Sequence, residues 1–90
     1  MNAIDLNGQK AVVTGGANGI GYAVAERLCR SGASVAIWDM NAEHGEKAAA
    51  ELGKAGNAVF LPVDITNPDA VVETLAKTEQ QIGAVDIAVN

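Results

Sequence analysis

The run TGGANGIG at residues 14–21 has glycines spaced as a phosphate-binding turn requires. An apolar segment precedes this run and a helical pattern follows it, so the glycines stand where a strand passes into a helix. Gly15 can take a tight-turn geometry, Gly19 lets the main chain approach a phosphate, and Gly21 permits close packing of helix on strand. The unpaired N–H groups of a helix N-terminus favour negative charge. The candidate cofactor-binding residues in this run are Gly15, Asn18, Gly19, Ile20 and Gly21.

Asp39 ends the next apolar run, where a carboxylate can accept hydrogen bonds from ribose hydroxyls. A 2′-phosphate, as in NADP, would place a like charge beside it. No Arg or Lys compensates, because Asn18 precedes the second motif glycine and Met40 and Asn41 follow the acid. The pattern therefore predicts NAD rather than NADP, with a solvated strand-ending acid as the alternative. Met40 would border the adenine ring, or lie in a surface loop.

Short apolar runs alternate with helical patterns along the whole chain, without repeats or linkers. The predicted strands are Ala11–Thr14, Ser34–Asp39, Ala58–Asp64 and Val85–Asn90. The predicted helices are Gly19–Ser31, Ala42–Lys54 and a third that begins after Asn67 and ends at Gly83. We expect Ile20, Val24 and Leu28 to share one face of the first helix, and Val71, Leu75 and Ile82 to face inward from the third.

This order of elements predicts an α/β fold, a Rossmann-type doubly wound parallel sheet of four strands. Crossovers of helix length require parallel strands, and near-continuous apolar runs are typical of strands buried on both faces. The expected strand order is 3-2-1-4, which represents an incomplete Rossmann fold. Ligands bind such sheets beyond the carboxyl ends of the strands, at the point where the strand order reverses.

The composition excludes several other classes of protein. A net charge of −5, with six scattered basic residues, argues against nucleic-acid binding. No apolar run approaches the length that spans a bilayer, and the N-terminus lacks the pattern of a secretory signal. We therefore expect a cytoplasmic protein with no nucleic-acid or membrane partner. The single cysteine, Cys29, cannot form an internal disulfide and is interpreted as a helix filler.

Four landmarks, in order, carry a resemblance to a known family. Thr14 with the glycines gives T-G-x-x-x-G-x-G, Asp39 ends the second strand, residues 64–66 read DIT, and residues 86–90 read DIAVN. This series resembles the short-chain dehydrogenase/reductase family, whose fourth strand leads into an N-N-A-G motif. Asn90 is the first letter of that motif.

The resemblance implies an oxidoreductase that uses NAD to transfer hydride to or from a small secondary alcohol or ketone. The substrate classes it suggests are 3-oxoacyl groups, hydroxy acids, sugar acids and polyols, and it implies a homo-oligomer, either a dimer or a tetramer. Asp64 would meet the adenine amino group, Ile65 would flank the ring, and Asn90 would lie near the nicotinamide-side ribose. The alternatives are that Asp64 helps to cap the next helix and that Asn90 is an ordinary turn residue.

The family's catalytic pattern, a Ser with a Tyr four residues before a Lys, is missing. The only tyrosine, Tyr22, lies in the first turn of the predicted helix that follows the glycine run, and the residue four positions later is Glu26. We therefore interpret residues 1–90 as the N-terminal part of a single NAD-binding domain, truncated before the catalytic region, that binds cofactor without turnover. No metal site is predicted: His44 lacks partners at metal spacing and is interpreted as solvated. Trp38 is expected to pack in or beside the second strand.

Two other functions fit the same pattern. A nucleotide-sensing module would keep the fold without the chemistry, and a longer sequence without Tyr-x-x-x-Lys would indicate it. A methyltransferase that uses S-adenosylmethionine also has a glycine-rich turn and an acid after its second strand. Its turn lacks the three-residue gap between the first two glycines, and tight binding of S-adenosylmethionine with none of NADH would favour it.

Overall fold

The computed structural model describes residues 5–90, which form alternating strands and helices. The strands are β1 (Lys10–Thr14), β2 (Ser34–Asp39), β3 (Asn57–Pro62) and β4 (Ile87–Val89). The helices are α1 (Gly19–Arg30), α2 (Ala42–Leu52) and α3 (Pro68–Ile82).

The four strands form one parallel sheet in the order β3-β2-β1-β4, which confirms the predicted topology. Because side chains alternate along a strand, Ala11 and Val13 enter the core beneath α1 and α2, whereas Val12 enters the core beneath α3. The sheet is therefore covered by helices on both faces. All four strands point the same way, so their carboxyl ends lie at one edge.

Asparagine side chains fix the starts of α2 and α3. Asn41 Oδ1 accepts a hydrogen bond from His44 N at 2.9 Å, and Asn67 Oδ1 accepts one from Ala70 N at 3.1 Å. Pro68 occupies the first turn of α3, which begins directly after Asn67, as predicted. Such caps satisfy amides that have no carbonyl within the helix, so both helices begin at sharply defined positions.

The buried face of α1 differs from the apolar face that Ile20, Val24 and Leu28 form. Ala25 and Cys29 are the buried residues, Val24 and Leu28 are half-buried, and Ile20 is 85% exposed. Small side chains allow a helix to lie close to the sheet, which displaces the buried stripe by one position from the larger residues. Ile20 lies in the first turn, at the carboxyl edge of the sheet. The interpretation of Cys29 as a helix filler is confirmed by its burial.

The predicted inward face of α3 is partly wrong, because two threonines are buried there while Leu75 is 38% exposed. Thr78 accepts a hydrogen bond from Trp38 Nε1 at 3.0 Å and donates one to the carbonyl of Thr74 at 2.8 Å. These bonds satisfy the buried hydroxyl, which removes the usual cost of burying a polar group. Ile82 is buried and Trp38 packs within β2, as predicted.

Several element boundaries also differ from the prediction. β4 is shorter than Val85–Asn90, because Val85 N donates to Glu79 Oε2 at 3.0 Å instead of joining the sheet. β3 ends at Pro62, before a turn that is closed by Asp64. α2 ends at Leu52, with Gly53 as its C-cap, and not at Lys54.

Candidate functional site

The predicted site residues all lie at or beyond the carboxyl ends of the strands. The glycine turn follows β1, Asp39 and Met40 follow one another at the end of β2, Asp64 and Ile65 come after β3, and Asn90 comes after β4. Because the strands are parallel, the fold collects these residues at one edge. This is the edge at which open α/β sheets bind ligands.

Each motif glycine meets a different steric demand. Gly15 and Gly19 have φ angles of +66° and +60°, which side-chain-bearing residues rarely adopt. Gly21 has another reason, because a Cβ there would overlap the carbonyl oxygen of Gly15 and lie 2.8 Å from its carbonyl carbon. The tight-turn and close-packing roles predicted for Gly15 and Gly21 thus agree with the geometry. The turn remains attached to the sheet, since Gly15 N donates to the carbonyl of Trp38 at 2.8 Å.

The N-terminus of α1 differs from those of the other two helices. Asn18 occupies the N-cap position in extended conformation, yet its side chain makes no capping hydrogen bond. Tyr22 N bonds to the Asn18 carbonyl at 3.3 Å, whereas the preceding amides of the first turn have no carbonyl within the helix. No acid lies in this turn, and Arg27 and Arg30 occupy the last one. The start of α1 can therefore donate several N–H groups to an anion.

Asp39 connects the glycine turn to the start of α2. Its Oδ2 lies 3.4 Å from Ala17 N, and its Oδ1 accepts a hydrogen bond from Asn41 N at 3.0 Å. The first contact is long and therefore weak. The carboxylate is half-buried between these backbone groups, so it is more ordered than a fully solvated strand-ending acid would be. A carboxylate oxygen has further acceptor capacity, which leaves Asp39 able to accept bonds from ligand hydroxyls.

Three large apolar side chains are exposed at this same edge. Ile20 is 85% exposed, Met40 71% and Ile65 53%. Met40 lines a shallow depression of about 290 Å³, whose other walls are Pro62, Val63 and Asp64. The depression offers a flat apolar surface beside a carboxylate.

Asp64 is held as an ordered, charged group. Its Oδ1 accepts hydrogen bonds from Thr66 Oγ1 at 2.6 Å and from Thr66 N at 2.9 Å. These bonds, the hydroxyl first, lower the pKa of the Asp64 carboxyl below its ordinary value. α3 is capped by Asn67 and not by Asp64, so the capping interpretation of Asp64 is wrong. Asp64 instead orders the turn that precedes the helix.

Asn90 lies where the strand order reverses, between β1 and β4. Thr14 Oγ1 is 3.2 Å from the carbonyl of Val89 and 3.3 Å from Asn90 Oδ1. The hydroxyl therefore joins the end of β4 to the first residue of the glycine motif. A cavity of about 340 Å³ lies beside this junction, on the α3 face, and includes Trp38 and Asn90 in its lining.

His44 is a residue of the site that the sequence analysis missed. It is exposed, as predicted, but its Nδ1 lies 3.2 Å from Asn18 Nδ2 in the glycine turn. The two residues line a cleft of about 390 Å³ between α1 and α2, together with Tyr22 and Lys47. The position of His44 in the sequence could have indicated this contact. His44 is in the first turn of the helix that follows Asp39, and the topology brings that turn beside the glycines.

Residues 5–90 contain no group of three or more His, Cys, Asp or Glu side chains that could hold a metal ion. None of the helices in the described part of the chain combines the length and apolar character needed to cross a membrane.

Known proteins resemble this chain in sequence and in fold. Residues 9–90 match the family model described as short chain dehydrogenase. Human 3-hydroxyacyl-CoA dehydrogenase type-2 is 45% identical over 85 residues, which cover 94% of this chain and 32% of that protein. The 3-oxoacyl-acyl-carrier-protein reductase of Chlamydia muridarum is 39% identical over 92 residues, covering 100% of this chain and 37% of the reductase.

A solved structure gives the same result for the fold. The crystal structure of hydroxysteroid dehydrogenase from Escherichia coli superposes with a TM-score of 0.91 at 32% identity, covering 96% of this chain and 36% of that one. The chain thus spans about a third of the length of the relatives it matches. Sequence, topology and the glycine turn agree, and the chain belongs to the short-chain dehydrogenase family.

Proposed function

We propose that this chain is the cofactor-binding part of an NAD-dependent oxidoreductase that transfers hydride between nicotinamide and a small secondary alcohol or ketone. The observation that carries the proposal is the uncapped N-terminus of α1 behind Gly15 and Gly19, at the edge where β1 and β4 meet. Bare backbone, unpaired amides and the helix dipole favour a pyrophosphate there. When bound, the nicotinamide supplies the hydride chemistry.

Each of the remaining predicted residues contacts a different part of the dinucleotide. Asp39 accepts hydrogen bonds from the adenosine ribose hydroxyls, while Met40 and Ile65 pack against the adenine ring. The charged carboxylate of Asp64 accepts a bond from the adenine amino group. Asn90 lies toward the nicotinamide-side ribose. Two observations support these assignments: the residues lie at one edge of the sheet, and a shallow depression lies between Met40 and Asp64.

The preference for NAD over NADP rests on Asp39. A 2′-phosphate about 4 Å from this carboxylate would be repelled by up to about 4 kcal/mol per charge pair at an effective dielectric near 20, and solvent reduces this figure. Within residues 5–90, the hydrogen bonds to Asp39 come from backbone amides and not from an Arg or Lys side chain. The geometry therefore favours a ribose with free hydroxyls.

Binding and catalysis are separate proposals for this chain. Transfer of the hydroxyl proton needs a positioned base, and Tyr22 packs against the core of the α1 and α2 face, with Glu26 four residues later. We therefore propose that residues 1–90 are the N-terminal part of a longer NAD-binding domain and do not catalyse by themselves. Two relatives are named for hydroxyacyl and oxoacyl chemistry, which supports a small-molecule substrate among 3-oxoacyl groups, hydroxy acids, sugar acids and polyols. We also propose that the full-length protein is a cytoplasmic homo-oligomer without nucleic-acid or membrane partners.

Calorimetric titration of the chain with NAD, NADP and S-adenosylmethionine tests the proposal. We expect NAD to bind more tightly than NADP, and S-adenosylmethionine not to bind. Asp39→Asn should reduce the ratio of NAD to NADP affinity at least about tenfold, because the like charge is removed. Asp69→Asn, an exposed acid in the first turn of α3, is the matched control and should leave the ratio unchanged. Binding of S-adenosylmethionine without NAD would overturn the function, whereas a preference for NADP would overturn the role of Asp39.

A further inference from the structure

We propose that His44 is a positioning residue for the cofactor site, which holds the Asn18 side chain away from the N-terminus of α1. The first-turn amides of α1 then remain available to an anion. This inference rests on the proposed function, since the anion is the pyrophosphate of NAD. His44 itself needs no contact with the cofactor.

Each of the three helices has asparagine at its N-cap position. Asn41 and Asn67 cap α2 and α3 through their side-chain oxygens, at 2.9 Å and 3.1 Å. Asn18 has the extended backbone of an N-cap residue but makes no side-chain cap. Asparagine is among the best N-cap residues, so a competing hydrogen bond would account for its failure to cap.

His44 is the partner in that hydrogen bond. Asn18 Nδ2 lies 3.2 Å from His44 Nδ1. An amide nitrogen can only donate, so the hydrogen bond requires the tautomer in which Nδ1 accepts. The bond turns the Asn18 amide toward α2, across the mouth of the cleft between the two helices.

The backbone of His44 is connected to the glycine turn through a series of contacts that starts at Asn41. His44 N donates to Asn41 Oδ1, Asn41 N donates to Asp39 Oδ1, and Asp39 Oδ2 lies 3.4 Å from Ala17 N. Ala17 is covalently joined to Asn18, which returns the series to His44. These contacts link the end of β2, the start of α2 and the glycine turn, and the weakest of them is the one between Asp39 and Ala17.

Loss of the acceptor on His44 would free Asn18 for the role that asparagine usually takes. Its Oδ1 would accept a hydrogen bond from the amide of Ile20 or Gly21, the second and third residues of α1. Those amides belong to the group that would bind the pyrophosphate, so the new cap would compete with the cofactor. The substitution should therefore weaken binding without removing any group that touches NAD.

The test compares variants by calorimetric titration with NAD. His44→Ala should weaken NAD binding about fivefold, the scale of one N-cap interaction. His44→Asn, whose Oδ1 takes the place of Nδ1, should restore the affinity. In an Asn18→Ala background, His44→Ala should have no further effect, because no side chain remains to form the cap. Glu46→Ala, an exposed change on the same helix, is the matched control and should bind NAD as the parent chain does.

Amide hydrogen exchange supplies a second readout that needs no cofactor. In His44→Ala, the exchange of Ile20 or Gly21 N–H should slow as Asn18 caps the helix, and in His44→Asn it should not. Unchanged NAD affinity in His44→Ala, or an equal loss in the Asn18→Ala background, would overturn the positioning role. If the parent chain binds no NAD, the proposed function fails, and unchanged exchange in His44→Ala would then overturn the role of His44 separately.

Discussion

Replacement of Gly21 by alanine tests whether the glycine turn is built for close approach of α1. A Cβ at this position would overlap the Gly15 carbonyl oxygen and lie 2.8 Å from the carbonyl carbon and 3.2 Å from Gly16 Cα. All of these atoms belong to the backbone, so no side chain can move aside. To restore even a 3.4 Å contact with the carbonyl carbon, the helix and the turn must separate by about 0.6 Å.

Two energetic terms of opposite sign decide the outcome. Alanine is favoured over glycine within a helix by about 1 kcal/mol, whereas overpacking costs about 1–3 kcal/mol. The steric term dominates, so we expect Gly21→Ala to lower the free energy of unfolding by about 1 kcal/mol. The displaced amides would also bind NAD at least about tenfold more weakly, or about 1.4 kcal/mol.

Urea denaturation, followed by the fluorescence of Trp38, measures the first effect, and calorimetric titration with NAD measures the second. Leu52→Ala is the control, because it removes a buried side chain from the last residue of α2, away from the carboxyl edge of the sheet. That variant should lose stability but keep its affinity for NAD. A Gly21→Ala variant that is stabilised and binds NAD like the parent chain would refute the steric reasoning.

Three further predictions concern the core, the loop after β3 and the buried thiol. Thr78→Val leaves the buried Trp38 Nε1 without its acceptor, so urea denaturation should show a loss of about 1–3 kcal/mol; an unchanged midpoint would contradict this. Thr66→Val removes the hydroxyl that lowers the pKa of Asp64, so carbon NMR should find the pKa of that carboxyl raised toward its ordinary value. In the parent chain, the stability linked to Asp64 is present above the ordinary Asp pKa and is lost as pH falls through the lowered value. Burial, and then the charge of Glu26, raises the pKa of the Cys29 thiol, so the unfolded chain releases this proton at lower pH than the folded chain does. The contribution of the Cys29 thiol to the free energy of unfolding is therefore fully present below the ordinary thiol pKa and is lost as pH rises through the raised value. Cys29→Ala should abolish this pH dependence, and denaturation measured across the same pH range checks it.

The fold was predictable because local signals and the global arrangement agree. Apolar runs followed by glycine or asparagine marked where strands and helices begin and end, and right-handed crossovers between parallel strands left few topologies to consider. The collection of Asp39, Asp64 and Asn90 at one edge follows from that topology alone. Strand order and helix placement therefore needed no knowledge of side-chain contacts.

The errors arose where a side chain depends on a distant partner. Leu75 seemed a core residue because it is apolar, but α3 buries Thr74 and Thr78 instead, since Trp38 supplies the donor that makes a buried hydroxyl acceptable. His44 is exposed, as predicted, but the sequence analysis did not identify its side-chain contact. Its partner, Asn18, is 26 residues away and becomes a neighbour only after α1 and α2 pack together.

The pairing of β4 with β1 also has a consequence for the order in which the chain folds. β1 pairs with β2, and β2 with β3, across separations of about 24 residues, whereas the contact between Thr14 and Val89 joins residues 75 apart. Closing the longer loop costs about 1 kcal/mol more in chain entropy, and during synthesis β4 is made after the other three strands. We expect the edge formed by Asp39 and Asp64 to assemble before Asn90 arrives. The adenosine half of the proposed site would then exist while the nicotinamide half is still being made.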